Sequence, residues 1–210
     1  MSLLLFLMSL FCFLLSIFRI VYTESKVFLF LNWNLFLAFL PWLFSSCLAF
    51  KPDLKKNKIM ISLLLLIWLL FFPNAPYILT DLFHLKSRTS MPIWFDLVLI
   101  LAFAWTGLMF GYLSLFDIEE YLQNFFPKYS VYVLSFLFIF LGSFGIYLGR
   151  FLRWNSWDII RDPFGLFLDV SNRFLYPSDH PKTWGVTFLM TILLSMIYAS
   201  LQLLRQEKRT

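Results

Sequence analysis

The sequence predicts an all-α fold, a polytopic transmembrane helical bundle of about six spanning helices with an interfacial amphipathic helix. Three observations predict it. Hydrophobic residues make up 60% of the 210-residue chain and charged residues 14%, whereas a soluble domain carries about a quarter charged residues. Apolar runs fall near 3–22, 27–50, 59–79, 93–116, 129–149 and 183–204, each close to the roughly 20 residues that cross about 30 Å of hydrocarbon. The alternating strands of a barrel are absent, and helices satisfy their own backbone in lipid. Residues 1–210 therefore read as a single integral membrane domain with little soluble mass.

The first run resembles a signal segment but has no basic n-region and no small-x-small cleavage site. Arg19 and Val21-Tyr22-Thr23 follow it, so 3–22 reads as an uncleaved first helix. Cys12 and Cys47 both lie inside apolar runs and read as small buried hydrophobes, not as a disulfide framework. In the second run Asn32 and Asn34 sit a few residues past the start, too far apart to act as one cap. An interhelical hydrogen bond is the first expectation for them and ligand contact the second.

The third run is interrupted. Ile59 to Phe72 is almost uniformly apolar, and Pro73-Asn74-Ala75-Pro76-Tyr77 follows. Two prolines three apart remove two backbone donors and discourage the residues before them from staying helical. The spacing predicts a break and a restart through Thr80, Asp81 and His84, with freed carbonyls that need protein, water or ligand as partners.

The fourth run opens with Trp94 and Asp96 and carries Gly107-x-x-x-Gly111; the fifth carries Gly145-x-x-x-Gly149. Small residues at this spacing let helices approach closely, which predicts packing of helices four and five. An acidic turn at 117–120 is expected to end the fourth helix. The long connection 150–182 is patterned. Asn155 or Ser156 can cap a short turn through Asp158, and Asp162-Pro163 can cap a helix with proline at its first position. Along that helix Phe164, Phe167, Leu168, Phe174 and Leu175 share one face, while Asp169, Asn172 and Arg173 share the other. That spacing describes a helix lying in the interface plane.

Six crossings place the connections 19–26, 80–92 and 150–182 on one side of the membrane, whichever way the chain inserts. Parity thus gathers a polar set. Its candidate catalytic residues are Asp81, His84 and Asp96; its candidate substrate-binding residues are Asn34, Asn74, Tyr77, Arg150, Arg153, Asn155 and Asp158. Asp81 and His84, at i and i+3, suit a base with its orienting carboxylate; the residues alone favour a helix cap beside a headgroup-level histidine. Arg150 and Arg153 share the i, i+3 spacing and suit phosphate with their forked donors; snorkelling arginines among Trp154 and Trp157 fit too. Asp96 or Asp158 is expected to neutralise them. No HExxH or CxxC supports a metal, and the cofactor stays open.

Several of these strings carry a family likeness. They are Phe72-Pro73-Asn74-Ala75-Pro76-Tyr77-Ile78-Leu79-Thr80-Asp81-Leu82-Phe83-His84-Leu85 and Tyr147-Leu148-Gly149-Arg150-Phe151-Leu152-Arg153-Trp154-Asn155-Ser156-Trp157-Asp158. Asn34 to Pro41, and Trp94-Phe95-Asp96 ahead of Gly107 and Gly111, add to them. Together they resemble the domain-of-unknown-function 1361 family of bacterial multi-pass membrane proteins, over roughly residues 30–205. The resemblance implies the architecture and a bacterial cell membrane; it implies no chemistry, because that family's activity is not established.

A net charge of +5 without a basic-aromatic nucleic-acid motif points to topology and anionic lipid, not to nucleic acid. The expected partners are membrane lipids, with an anionic lipid or lipid-linked molecule as substrate; homo- or hetero-oligomer is left open. Three functions stay in play: an enzyme acting on a lipid-linked or phosphorylated substrate, a small-solute transporter or permease component, and a non-catalytic module packing with a partner protein. The lysine-rich 51–58 loop and the basic tail predict cytoplasmic termini.

Overall fold

A computed structural model describes residues 2–50, 58–86 and 90–207. The lysine-rich loop at 51–57 and the last basic residues, Lys208 and Arg209, lie outside that set. Every regular element among the described residues is helical: α1 Ser2–Thr23, α2 Phe30–Phe50, α3 Lys58–Phe71, α4 Asn74–Tyr77, α5 Ile93–Leu122, α6 Lys128–Tyr147, α7 Asp158–Arg161, α8 Pro163–Leu175 and α9 Pro181–Glu207. Six stretches are long and apolar enough to cross a membrane: Ser2–Thr23, Phe30–Leu48, Ile59–His84, Ile93–Leu122, Lys128–Leu152 and Pro181–Arg205. The protein is therefore an all-α, multi-pass membrane protein.

The chain forms two compact units, Met1–Asn124 and Phe125–Thr210. In the first, α5 is the central post, packed against α1, α2, α4 and the tightly wound stretch after α4. Its core includes Leu31, Leu35, Ala38, Ala75, Ile78, Leu99, Ile100 and Phe103. Polar groups stitch the helices through this core. Cys12 Sγ and Thr106 Oγ1 lie 3.3 Å apart, Trp68 Nε1 donates to Ser114 Oγ at 3.1 Å, and Asn32 Nδ2 donates to Ser16 Oγ at 2.8 Å. That last bond is the interhelical role expected for Asn32. Such bonds matter in lipid because an unpaired polar group there has no water to turn to. Outward, α1 leaves Leu3, Phe6, Leu14, Ile17 and Val21 exposed, the surface a lipid-facing helix presents.

Two expectations change in this unit. No turn forms at 117–120; α5 continues to Leu122. Ile118, Tyr121 and Leu122 at i, i+3 and i+4 are buried, and Ser45 Oγ donates to Asp117 Oδ2 at 2.8 Å. Tertiary partners thus hold the acidic stretch helical. The Gly107-x-x-x-Gly111 face also meets a different neighbour from the one expected. A Cβ built on Gly107 would lie 2.9 Å from Ala75 O and 2.8 Å from Ile78 Cδ1, and one on Gly111 would lie 2.8 Å from Ala75 Cβ. These glycines receive the interrupted end of the third span.

In the second unit α6 packs on α9, with Phe140 against Phe188 and Phe144 against Trp184. Ser135, Gly142 and Ser143 of α6 are buried, as are Thr183, Thr187 and Thr191 of α9. Asp162 accepts from Gly165 N at 2.9 Å with Pro163 opening the helix, so α8 starts where its Asp-Pro cap predicts.

Candidate functional site

The interruption of the third span is a change of winding. After α3 the chain makes the short α4 and then winds as a 3-10 segment over Ile78–His84. Pro73 and Pro76 cannot donate to the ladder, yet the carbonyls around them find partners within the protein. Asn74 Nδ2 donates to Phe71 O at 2.9 Å, and Thr80 Oγ1 donates to Tyr77 O at 2.7 Å. Asn74 thus closes the break with its own side chain, while Tyr77 is half-buried on the same short turn.

The 3-10 winding sets the next two residues. With three residues per turn, side chains at i and i+3 eclipse, so Asp81 and His84 share one edge. Asp81 is 1% exposed, and its Oδ2 accepts from Asn34 Nδ2 at 2.8 Å. His84 is exposed, its ring edge-on to Phe30 with centroids 5.1 Å apart. The segment thus carries a buried carboxylate and, three residues on, an accessible imidazole.

Asp96 has a partner that spacing alone did not name. Arg19 Nε donates to Asp96 Oδ1 at 2.7 Å and Arg19 Nη2 to Asp96 Oδ2 at 3.3 Å. The two side chains are 1% and 0% exposed, and the guanidinium carbon stands 4.5 Å from the centre of the Phe28 ring. The fork takes both carboxylate oxygens. One signal could have found this pair: Arg19 sits in an apolar run, where a cation needs a partner.

In the second unit the end of α6 is wound as a π turn over Leu148–Leu152. Such insertions are rare and frequent at functional sites. Arg150 lies in the turn and is half-buried. Arg153 closes it in the left-handed conformation, φ 65° and ψ 26°, an uncommon state for a residue other than glycine. Trp154 N reaches back to Leu148 O at 3.2 Å. The i, i+3 spacing predicts one helix face for the two arginines, but Arg153 stands outside the helix, so that argument does not apply to them. The π turn and the left-handed residue set their directions instead.

Asn155 and Asp158 are brought together. Asp158 Oδ2 accepts from Asn155 N at 2.7 Å and from Asn155 Nδ2 at 3.2 Å, and Asp158 N donates to Asn155 O at 3.0 Å. The acid reaching back to an amide three residues earlier is half of a capping box. Asp169 is a further anchor, one that the sequence pattern does not single out. Trp154 Nε1 donates to Asp169 Oδ2 at 2.7 Å, and Arg173 Nη1 donates to Asp169 Oδ1 at 3.2 Å. Their i, i+4 spacing was visible; that it faces the protein was not. No cluster of three or more metal-ligating side chains exists among the described residues.

A family model described as a protein of unknown function, DUF1361, matches residues 33–197. The chain belongs to the DUF1361 family. The match takes in the interrupted third span, Asp96, the π turn and α8, while Arg19 lies before it. No protein of curated function and no solved structure matches the chain. The match supplies family membership for this DUF1361 chain.

Proposed function

We propose that this DUF1361 protein is a membrane-embedded enzyme that acts on a lipid-linked or phosphorylated substrate at one membrane face. The observation that carries the reading is Asp81, a carboxylate 1% exposed in a spanning segment and held by Asn34. Ionisable groups at such positions are costly and mark substrate or proton pathways. His84 on the same edge is exposed, and an imidazole beside an orienting carboxylate suits a general base. In the second unit Arg150 and Arg153 carry guanidinium groups of the kind that suits phosphate, on a turn closed by Asn155 and Asp158. Tyr77 and Asn74 shape the break beside Asp81. Asp96, with both oxygens engaged by Arg19, holds α1 to α5 in this reading.

The test starts from lipid extracted with the protein purified from native membranes. That lipid is then offered to wild type, Asp81→Asn and His84→Gln in detergent. Wild type should convert it, and both variants should bind it without converting it. Unchanged conversion by both variants would remove Asp81 and His84 from the chemistry. The interrupted third span also favours a small-solute transporter; uptake by sealed vesicles together with no conversion in detergent would favour that second reading.

The same reading places the chain in a bacterial cell membrane with both termini in the cytoplasm. Eight basic residues lie in the 51–58 loop, at Lys128 and in the tail; nine lie on the opposite face. Of those nine, Arg19 is buried against Asp96 and Arg173 against Asp169. Setting these two aside takes the count from nine to seven, below the eight, and the positive-inside rule then favours cytoplasmic termini. A C-terminal reporter active only outside the cytoplasm would reverse the assignment.

A further inference from the structure

The helix α8 is amphipathic in an unusual sense, because its two charged residues, Asp169 and Arg173, bond within the protein. Arg173 is 7% exposed and bonded to Asp169. Asp169 also holds Trp154, and Trp184 Nε1 of α9 donates to Arg173 O at 3.2 Å. Phe174 packs on Phe144 of α6 and on Trp184, with ring centroids 5.3 Å and 5.1 Å away. These contacts fix the roll of the helix. On the opposite side, at i, i+3, i+4 and i+11, Phe164 is 80% exposed, Phe167 67%, Leu168 60% and Leu175 70%. Ile160 of the preceding α7 is 85% exposed.

We propose that the face formed by Phe164, Phe167, Leu168 and Leu175 is seated in the acyl chains of the membrane leaflet that the fifth and sixth spans share. Topology fixes its level. The fifth span ends at Leu152 and the sixth begins at Pro181, so both ends of the α7–α8 segment are tied to one membrane face. A helix held there with Arg173 turned inward presents chiefly its apolar side to the surroundings, with Asn172 the exposed polar residue of its other face. Large apolar side chains gain most by leaving water, and lipid is continuous with the exposed apolar surface of the flanking spans, such as Phe136 and Leu137 of α6 and Leu189 and Ile192 of α9. Interfacial helices bury such a face about 5–10 Å into the boundary between headgroups and acyl chains. The inference goes beyond the enzyme reading and stands whether or not Arg150 and Arg153 hold a phosphate.

Nitroxide accessibility tests it. Cys12 and Cys47, the two cysteines of the chain, are replaced by alanine. Single cysteines are then placed and labelled at 164, 167, 168, 175 and, as a water-facing reference, at the exposed Asp179. The full chain is reconstituted in liposomes of phosphatidylethanolamine and phosphatidylglycerol. Collision with oxygen should exceed collision with a water-soluble nickel chelate at the four apolar sites, and the order should reverse at 179. Dominance of the nickel chelate at the four sites would put the face in water. Exclusion of both reagents would mean protein covers it, from a second copy or a partner. Either result overturns the proposal. Intact folding of each labelled protein is checked by its melting temperature.

Discussion

Arg19 and Asp96 form a forked ion pair across 77 positions of sequence, with Nε to Oδ1 at 2.7 Å and essentially no exposure of either side chain. The pair ties α1 to the start of α5, the central post of the first unit. Removing one partner strands a buried charge, which costs about 3–5 kcal/mol. Replacing both with apolar residues of similar volume removes the desolvation penalty along with the attraction, and is often close to neutral. Arg19→Met and Asp96→Leu should therefore each lower thermal stability in detergent strongly, and the double variant should recover most of it. Additive losses in the double-mutant cycle would show that the two charges do not act as one unit.

The close approach of α5 to the interrupted third span gives a sharper steric test. At Gly107 an added Cβ meets a carbonyl oxygen, Ala75 O at 2.9 Å, and a backbone atom cannot swing aside as a side chain can. Gly107→Val should cost about 1–3 kcal/mol through overpacking, read as a fall in melting temperature. By contrast, Gly185 has nothing within 4 Å of a built Cβ. Gly185→Ala should be neutral or mildly stabilising, since helix propensity favours alanine over glycine by about 1 kcal/mol. Equal behaviour of the two variants would contradict the packing described.

What could be read beforehand and what could not separates by range. The Asp162-Pro163 cap and the amphipathic period of α8 are local, and the sequence states them directly. The interruption after Phe72 is local too, because proline chemistry acts on its neighbours. Its outcome was less legible: Asn74 and Thr80 satisfy the carbonyls and keep the chain wound, where a wider break was equally consistent with two prolines. The partner of Asp96 depends on how α1 docks on α5, which no spacing rule encodes. The continuation of α5 past Asp117 depends on Ser45 of α2 in the same way. The π turn at Leu148–Leu152 has no reliable sequence rule, and it breaks the shared helix face that an i, i+3 count assigns to Arg150 and Arg153.

The winding of the third span supplies another test. Asp81 and His84 eclipse because Ile78–His84 is a 3-10 segment. Restoring two backbone donors by Pro73→Ala together with Pro76→Ala should extend α-helical winding and turn His84 away from Asp81 by tens of degrees. The double variant should still insert, with ligand conversion or genetic complementation reduced. Full function with normal insertion would show that the interruption serves packing against Gly107 and Gly111 alone.

The arginines at the end of α6 separate a phosphate site from a membrane belt. Arg150 sits in a π turn, and Arg153 holds a left-handed backbone at φ 65°, a conformation that costs free energy for a residue with a Cβ. Relief of that cost by Arg153→Gly should raise stability if the side chain has no structural task, and should lower anionic-ligand binding if the guanidinium is a ligand-binding group. Lysine provides the complementary probe. Arg150→Lys with Arg153→Lys keeps both charges and both long stems but loses the planar fork, so bidentate contact to phosphate weakens while snorkelling is preserved. Binding of phosphatidylglycerol vesicles to purified wild type and to the double lysine variant reads the difference, with added inorganic phosphate as a competitor. Weaker binding by the variant at unchanged melting temperature is the expected result. If free phosphate competes, the headgroup phosphate alone is recognised; if it does not, the lipid as a whole is. Equal binding by wild type and variant would leave the arginines as members of an interfacial belt beside Trp154 and Trp157.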